Sequence, residues 1–472
     1  MRRPWFVRSL ACLALFLSCV ASEAAVRLPA VIGDGMVLQR GCPVPIWGWA
    51  AKGEEVTVTL ADKTLTAKAD DDGRWKVVFP KLEVGQPLEM TVRGSSGSLM
   101  TLKNILVGEV WVCSGQSNME MGVGLCNNAK EEVANAKYPD IRLFMVPKVK
   151  AELPAKDVHA TWKECSPKTI AADGWCGFSA AAYFFGRELH KELKVPVGLI
   201  DTSWGGTPAE YWTSRNALLA NPTLKPLAEG EGMYVNSYLY NGMIAPLVPY
   251  AIRGAIWYQG ETNVGGAYLY RTLFPAMIAD WRAAWGQGDF PFLFAQIAPF
   301  PYAPNNPCPE LWEAQLMTLK SVPNTGMAVT TDIGDVKDIH PKNKQEVGRR
   351  LALWALARSY NRPIVCSGPI YRSMAIEGNT IRLNFDHVGG GLAASDGKPL
   401  AEFTIAGADQ KFVPATATID GDTIVVRAEG VAKPVAVRFA WRDIAQPNLA
   451  NKDGLPASPF RTDSWKGVTQ HK

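Results

Sequence analysis

Residues 108–121 read GEVWVCSGQSNMEM. An apolar run of strand length, 109–113, stops at Ser114-Gly115 and passes into a Ser-bearing segment. Further strand-length apolar runs follow at 197–201, 254–258, 292–297 and 328–332. Between and after them, 180–193, 268–285, 311–321 and 344–359 carry helical periodicity. In the last, Val347, Leu351, Trp354 and Leu356 share one broad face. Strand–helix alternation over 106–362 predicts an α/β domain built on a parallel, doubly wound sheet. Ligands of such sheets bind beyond the carboxyl ends of the strands, so chemistry is sought there.

On either side the pattern changes. Residues 25–105 carry short alternating segments at 44–49, 55–60, 76–79 and 89–92, with Asp71-Asp72-Gly73 as a turn. This predicts an N-terminal β-sandwich module. Residues 363–472 return to β character at 380–385, 402–405, 423–428 and 435–439, predicting a C-terminal β module. Gly389-Gly390-Gly391 is followed by neither a helix nor Lys-Ser/Thr, so it is a loop rather than a phosphate cradle.

The whole chain has 472 residues, 47% hydrophobic and 20% charged, the make-up of a folded globular protein of about three domains. A net charge of +4 without a basic run argues against a nucleic-acid partner. At the start, Arg2, Arg3 and Arg8 precede the apolar run 10–20, and Ser22 and Ala24 suit the −3 and −1 cleavage positions. Residues 1–24 therefore read as a secretory signal peptide, predicting a periplasmic or secreted protein with no membrane attachment after cleavage. Lipid anchoring through Cys19 ranks second, because Phe16-Leu17-Ser18-Cys19 matches such a site poorly. Past the leader, Cys42, Cys113, Cys126, Cys165, Cys176, Cys308 and Cys366 make an odd set with no C-x-x-C pair. At least one thiol is then unpaired or bonded between chains, and zinc ribbons and dithiol redox motifs are not supported.

Three groups sit at predicted strand ends. Ser117, in Gly115-Gln116-Ser117-Asn118-Met119-Glu120, could expose a nucleophilic hydroxyl on a sharp turn; Ser117 with Glu120 equally fits a capping box. Gln259 and Asn263, in Trp257-Tyr258-Gln259-Gly260-Glu261-Thr262-Asn263, could donate to an oxyanion. Glu261 there could instead serve a glycosidase, and Thr262 or Asn263 could simply cap a helix. His340, in Asp335-Val336-Lys337-Asp338-Ile339-His340-Pro341, is the one His of five near acids at the expected edge. Asp338 or Asp335 could orient its imidazole, while Asn343 and Glu346 would cap the next helix. Gly177-Phe178-Ser179 imitates a nucleophile elbow but follows no strand, so Ser179 reads as a cap.

Taken together, these groups resemble the sialate O-acetylesterase family of SGNH (GDSL-like) hydrolases. The similar stretches are GEVWVCSGQSNMEM, DTSWGGTPAEYW at 201–212, WYQGETN at 257–263 and DIGDVKDIHPKNKQEVGRRLA at 332–352. LPAVIGDGMVLQR at 28–40 and GLPASPFRTDSW at 454–465 extend the likeness over nearly the whole mature chain. The resemblance implies a flavodoxin-like parallel sheet with helices on both faces. It also implies metal-independent hydrolysis of acetyl esters on sugar hydroxyls, without a cofactor, on an acetylated carbohydrate. Carried over, Ser117 is the nucleophile and His340 the general base. The oxyanion donors would be the Ser117 N–H, the Gly205 or Gly206 N–H, and the Gln259 or Asn263 side chain. Many such hydrolases place Asp three positions before the His, where this chain has Lys337. Asp338 is the better third member, then Asp335, and a Ser–His dyad stays open. Two other classes stay open as well: a glycoside hydrolase using Glu261, and a non-catalytic carbohydrate-binding protein. Arg215 or Arg271 could clamp a substrate carboxylate, with nothing in the sequence to choose between them. Neither the acetylated sugar nor the oligomeric state is legible.

Overall fold

Strand β1 (Leu99–Gly115) carries the architecture. Its last residues are buried on both sides: Val110 and Val112 enter one apolar cluster, Trp111 and Cys113 the other. A strand covered on both faces has no polar alternation, which is why it reads as a continuous apolar run. The computed structural model describes residues 25–229, 236–303 and 307–471; the expected signal peptide lies outside them.

The central sheet adds β2 (Tyr138–Met145), β3 (Lys163–Cys165), β4 (Val197–Ser203), β5 (Gly254–Tyr258), β6 (Phe292–Ala295) and β7 (Thr325–Ala328). Their spatial order is β7-β6-β5-β1-β4-β2-β3, parallel throughout except for the β2–β3 pair. Leaving that edge pair aside, the chain builds outward from β1 to β4 on one side, then to β5, β6 and β7 on the other. The switch point lies at β1. Register makes it a site: Gly115 stands opposite both Ser203 and Tyr258, so the turns after β1, β4 and β5 leave the sheet side by side.

One face is covered by α2 (Ala180–Leu193) and α5 (Lys344–Ser359), which pack on each other, and the opposite face by α3 (Ala267–Trp285) and α4 (Cys308–Ser321). The expected helices 180–193 and 344–359 match these bounds, and α3 and α4 begin slightly before the expected starts. The last strand is displaced from 328–332 to Thr325–Ala328. Beyond it, Thr330 Oγ1 donates to Gln296 O, and Asp332 is held by Arg350 at 2.6 Å, so that stretch is spent on turn contacts.

The first half of β1 pairs antiparallel with Leu88–Gly94, so the N-terminal sheet and the central sheet share a strand. The C-terminal strands form two four-stranded antiparallel sheets and one two-stranded sheet. Phe385 of one four-stranded sheet meets Phe460 of the other at 5.7 Å between rings, sandwich fashion. The chain is thus mixed α/β with a mostly parallel central sheet and additional β-sheet modules. Among the described residues no helix is long and apolar enough to cross a membrane.

Candidate active site

The turn after β1 is forced by close packing. Gly115 has φ +144°, and a Cβ there would lie 2.2 Å from Tyr258 O, so only glycine fits. Gln116 N donates to Tyr258 O, and its side-chain Oε1 accepts from Gly260 N and Thr262 N. Ser117 then opens a single helical turn, α1 (Ser117–Glu120), whose N-cap is Gln116, without a side-chain cap. The capping-box explanation of Ser117 therefore fails. Its hydroxyl is half-buried, and neither Oγ nor the backbone N–H has a hydrogen-bond partner among the described residues. Ser179, by contrast, is a cap as expected: Oγ accepts from Ala182 N and donates to Met119 O, bracing α1.

The turn after β4 lies against Ser117. A Cβ on Gly205 would stand 3.2 Å from Ser117 Cβ. The Gly205 N–H donates to Glu120 Oε2 at 2.6 Å, and Lys148 Nζ bonds the other Glu120 oxygen at 2.5 Å. Gly206 is exposed at φ +73°, with open space around it and no acceptor on its N–H among the described residues.

The His loop closes over α1. Asn118 Nδ2 donates to Ile339 O at 2.9 Å, tying the residue after Ser117 to the residue before His340. The imidazole packs edge-on against Trp175, ring centres 4.9 Å apart. No hydrogen bond joins Ser117 Oγ to His340. Asp338 Oδ1 accepts the His340 backbone N–H at 2.9 Å and lies 3.7 Å from Nδ1. Asp335 Oδ1 accepts from Lys337 N, which leaves it serving the turn. Burial lowers the imidazole's affinity for a proton, and the Lys344 charge adds to this; Asp338 and Glu120 pull the other way.

After β5, the polar residues turn inward. Both Gln259 amide hydrogens are engaged, by Asn263 Oδ1 at 2.6 Å and Thr207 O at 3.3 Å, and its Oε1 accepts from Tyr270 Oη. Asn263 Nδ2 gives one hydrogen to Glu210 Oε2 at 2.9 Å. Neither Thr262 nor Asn263 caps: the short 3-10 helix here begins after Gly260 without a side-chain cap. Glu261 is buried, with Oε1 accepting from Asn118 Nδ2 at 2.6 Å and Oε2 lacking a partner among the described residues. At the start of α5, Asn343 caps through Glu346 N, while Glu346 turns away to Arg349 and Arg350.

Beside α1 opens a cavity of about 1130 Å³, lined by Glu120, Lys148, His159, Trp175 and Asp201 among others. Burial raises Asp201 to about 7, against the hydrogen bond from Ser203. Of the two arginines considered as clamps, Arg271 is paired with Glu313 at 2.5 Å and neither lines this cavity. Residues not singled out from sequence are Asn118, Lys344, Lys148 and Trp175. Only Asn118 had a visible signal, its place next to Ser117.

The family model for "Carbohydrate esterase, sialic acid-specific acetylesterase" matches residues 107–357. The rat sialate O-acetylesterase (Rattus norvegicus) is 30% identical over 524 residues, spanning 95% of this chain and 96% of its own. The human enzyme (Homo sapiens) is 30% identical, spanning 92% of each chain. The crystal structure of a carbohydrate acetylesterase from Xanthomonas citri superposes with a TM-score of 0.86 at 40% identity, over 93% of this chain and 100% of that one.

Proposed function

The chain belongs to the sialic acid-specific acetylesterase family of carbohydrate esterases, and from that premise we propose a Ser117–His340 acyl-enzyme mechanism for it. It is a carbohydrate O-acetylesterase. The observation that carries the mechanism is the Asn118–Ile339 hydrogen bond, which holds the nucleophile turn and the His turn together across the sheet's switch point. The strand order fits an SGNH-type catalytic domain over 106–362, flanked by β modules at 25–105 and 363–472.

The reaction runs in two steps. His340 takes the proton of Ser117 Oγ as the oxygen attacks the acetyl carbonyl. The tetrahedral oxygen is met by the Ser117 and Gly206 N–H groups, which have no acceptor among the described residues, and by the Asn263 Nδ2 hydrogen not given to Glu210. Each such donor is worth about 10²–10³ in rate. Gly205 N–H joins them only when Glu120 releases it. Gln259 acts one step removed, holding Asn263 by its oxygen. The sugar leaves with the proton from His340. Water, deprotonated by the same imidazole, then attacks the acetyl-Ser117 carbonyl, and acetate departs.

Asp338 supports the imidazole from the solvent side. The glycosidase alternative loses ground, because Glu261 is buried and its Oε1 is taken by Asn118 of α1. The leader reading places the protein in the periplasm or outside the cell. The test is acetate release across a panel of acetylated glycans. Ser117→Ala should lose release by at least about 10³-fold, and a serine-reactive phosphonate should block the parent. Undiminished release by Ser117→Ala would end the reading.

A further inference from the structure

Asn118 is fully buried and uses its whole amide. Nδ2 donates to Glu261 Oε1 at 2.6 Å and to Ile339 O at 2.9 Å, and Oδ1 accepts from Lys344 Nζ at 2.5 Å. Lys344 is itself fully buried (0% exposed), its Nζ 5.2 Å from the centre of the Tyr258 ring. Four segments thus meet at one side chain: the nucleophile turn, the turn after β5, the His loop and the start of α5.

Stability alone does not account for this unit. A buried ammonium is costly, and Lys344 is the first residue of α5, where the helix dipole disfavours a cation. Glu261 has one oxygen with no partner among the described residues. Asn118, the Tyr258 ring and the Glu261 charge offset only part of the cost, since burial still pulls the Lys344 pKa down to about 7, and departures from local rules of this kind belong where function demands them. We propose that Glu261 and Lys344 are positioning residues for the esterase reaction: they clamp the Asn118 amide so that it holds Ile339, and with it His340, at a fixed distance from Ser117. The inference rests on the Ser117–His340 reading above.

Neither group touches substrate. Their effect passes through Asn118, whose amide faces the right way only while a carboxylate accepts from its nitrogen and an ammonium donates to its oxygen. Remove either, and the amide keeps two of its three bonds, so that its hold on Ile339 O loosens. The Lys344 charge also bears on the imidazole, along with Asp338 and Glu120.

The test is Lys344→Met, close in length and uncharged, with Glu261→Met as a second variant of similar length and no oxygen for the Asn118 amide. Both are assayed on a chromogenic acetate ester from pH 5 to 9 beside Ser117→Ala, with folding checked by circular dichroism and thermal melting. A shift of the His loop by about 1 Å should lower kcat by about 10²-fold while KM stays within about twofold. Because Lys344 holds the imidazole's proton affinity down, Lys344→Met should also move the acid limb of kcat/KM to higher pH, which a merely structural defect would not do. If Lys344→Met does not fold, the kcat–KM split in Glu261→Met decides. Folded variants with near-parental kcat and an unmoved limb overturn the inference, provided Ser117→Ala is inactive. If Ser117→Ala stays active, the Ser117 reading has failed instead.

Discussion

Replacing Asp338 by Asn separates a triad from an assisted dyad. Asp338 Oδ1 lies 3.7 Å from His340 Nδ1, and the two side chains are 47% and 27% exposed. Two unit charges at that distance attract by about 1 kcal/mol in a water-like medium, and partly exposed pairs yield about 0–1 kcal/mol once solvent and side-chain freedom are counted. The ceiling converts to about fivefold in rate. Asn keeps an oxygen for the His340 backbone N–H, so the loop should hold. The expected result is a two- to fivefold fall in kcat/KM, far from the about 10⁴-fold loss that follows removal of a buried orienting Asp. The sign of the pH effect is also set. In the proposed mechanism neutral imidazole is the active form; burial and Lys344 already keep its pKa below the ordinary value, and Asp338 opposes them. Removing Asp338 should move the acid limb of kcat/KM to lower pH. Asp335→Asn should do less, since that carboxylate is committed to Lys337 N. Steady-state hydrolysis of a chromogenic acetate between pH 4.5 and 8 reads all of this. A loss of 10³-fold or more in Asp338→Asn, or a limb moving upward, would refute the solvent-side role.

Two predictions concern the scaffold. Glu109 is fully buried; burial raises its pKa, but Arg253, Gln39 and Arg40 outweigh that and leave it lowered. Its stabilisation is therefore whole above the unfolded carboxylate value of about 4.3 and is lost as pH falls through the lower folded value, and Glu109→Gln should cost about 3–5 kcal/mol at pH 7 by urea denaturation. A stability in Glu109→Gln equal to the parent at pH 7 would count against it. Gly115→Ala should lose about 3 kcal/mol or more, because its Cβ has nowhere to go but into Tyr258 O, and an unchanged thermal midpoint would contradict the packing.

Sheet and helices were legible because burial on both faces removes polar alternation. Ile256 and Tyr258 face one cluster, Ala255 and Trp257 the other, so all of β5 reads as strand. β2 was not legible: Tyr138–Met145 contains Pro139, Asp140 and Arg142, and only the fold shows that Arg142 is buried, donating to Pro139 O and Gly35 O. The register that aligns Gly115 with Ser203 and Tyr258 is likewise a property of the assembled sheet, although it explains why motifs far apart in sequence fall at one edge.

Residue type announces chemistry, whereas the direction of a polar side chain is decided by its partners. Ser117 and His340 stand out from sequence as a hydroxyl and an imidazole at strand ends. Gln259 offers an equally plausible amide there, yet it points inward, because Asn263 and Thr207 O from another turn take its hydrogens first. Lys344 shows the converse. At the start of an amphipathic helix a lysine reads as a solvated charge, and nothing within α5 contradicts that. Its burial goes with Asn118 on a turn more than two hundred residues earlier, which supplies an oxygen for the ammonium. The polar interior of this site is therefore a set of mutual commitments between turns, and each is visible only once the switch point has brought those turns together.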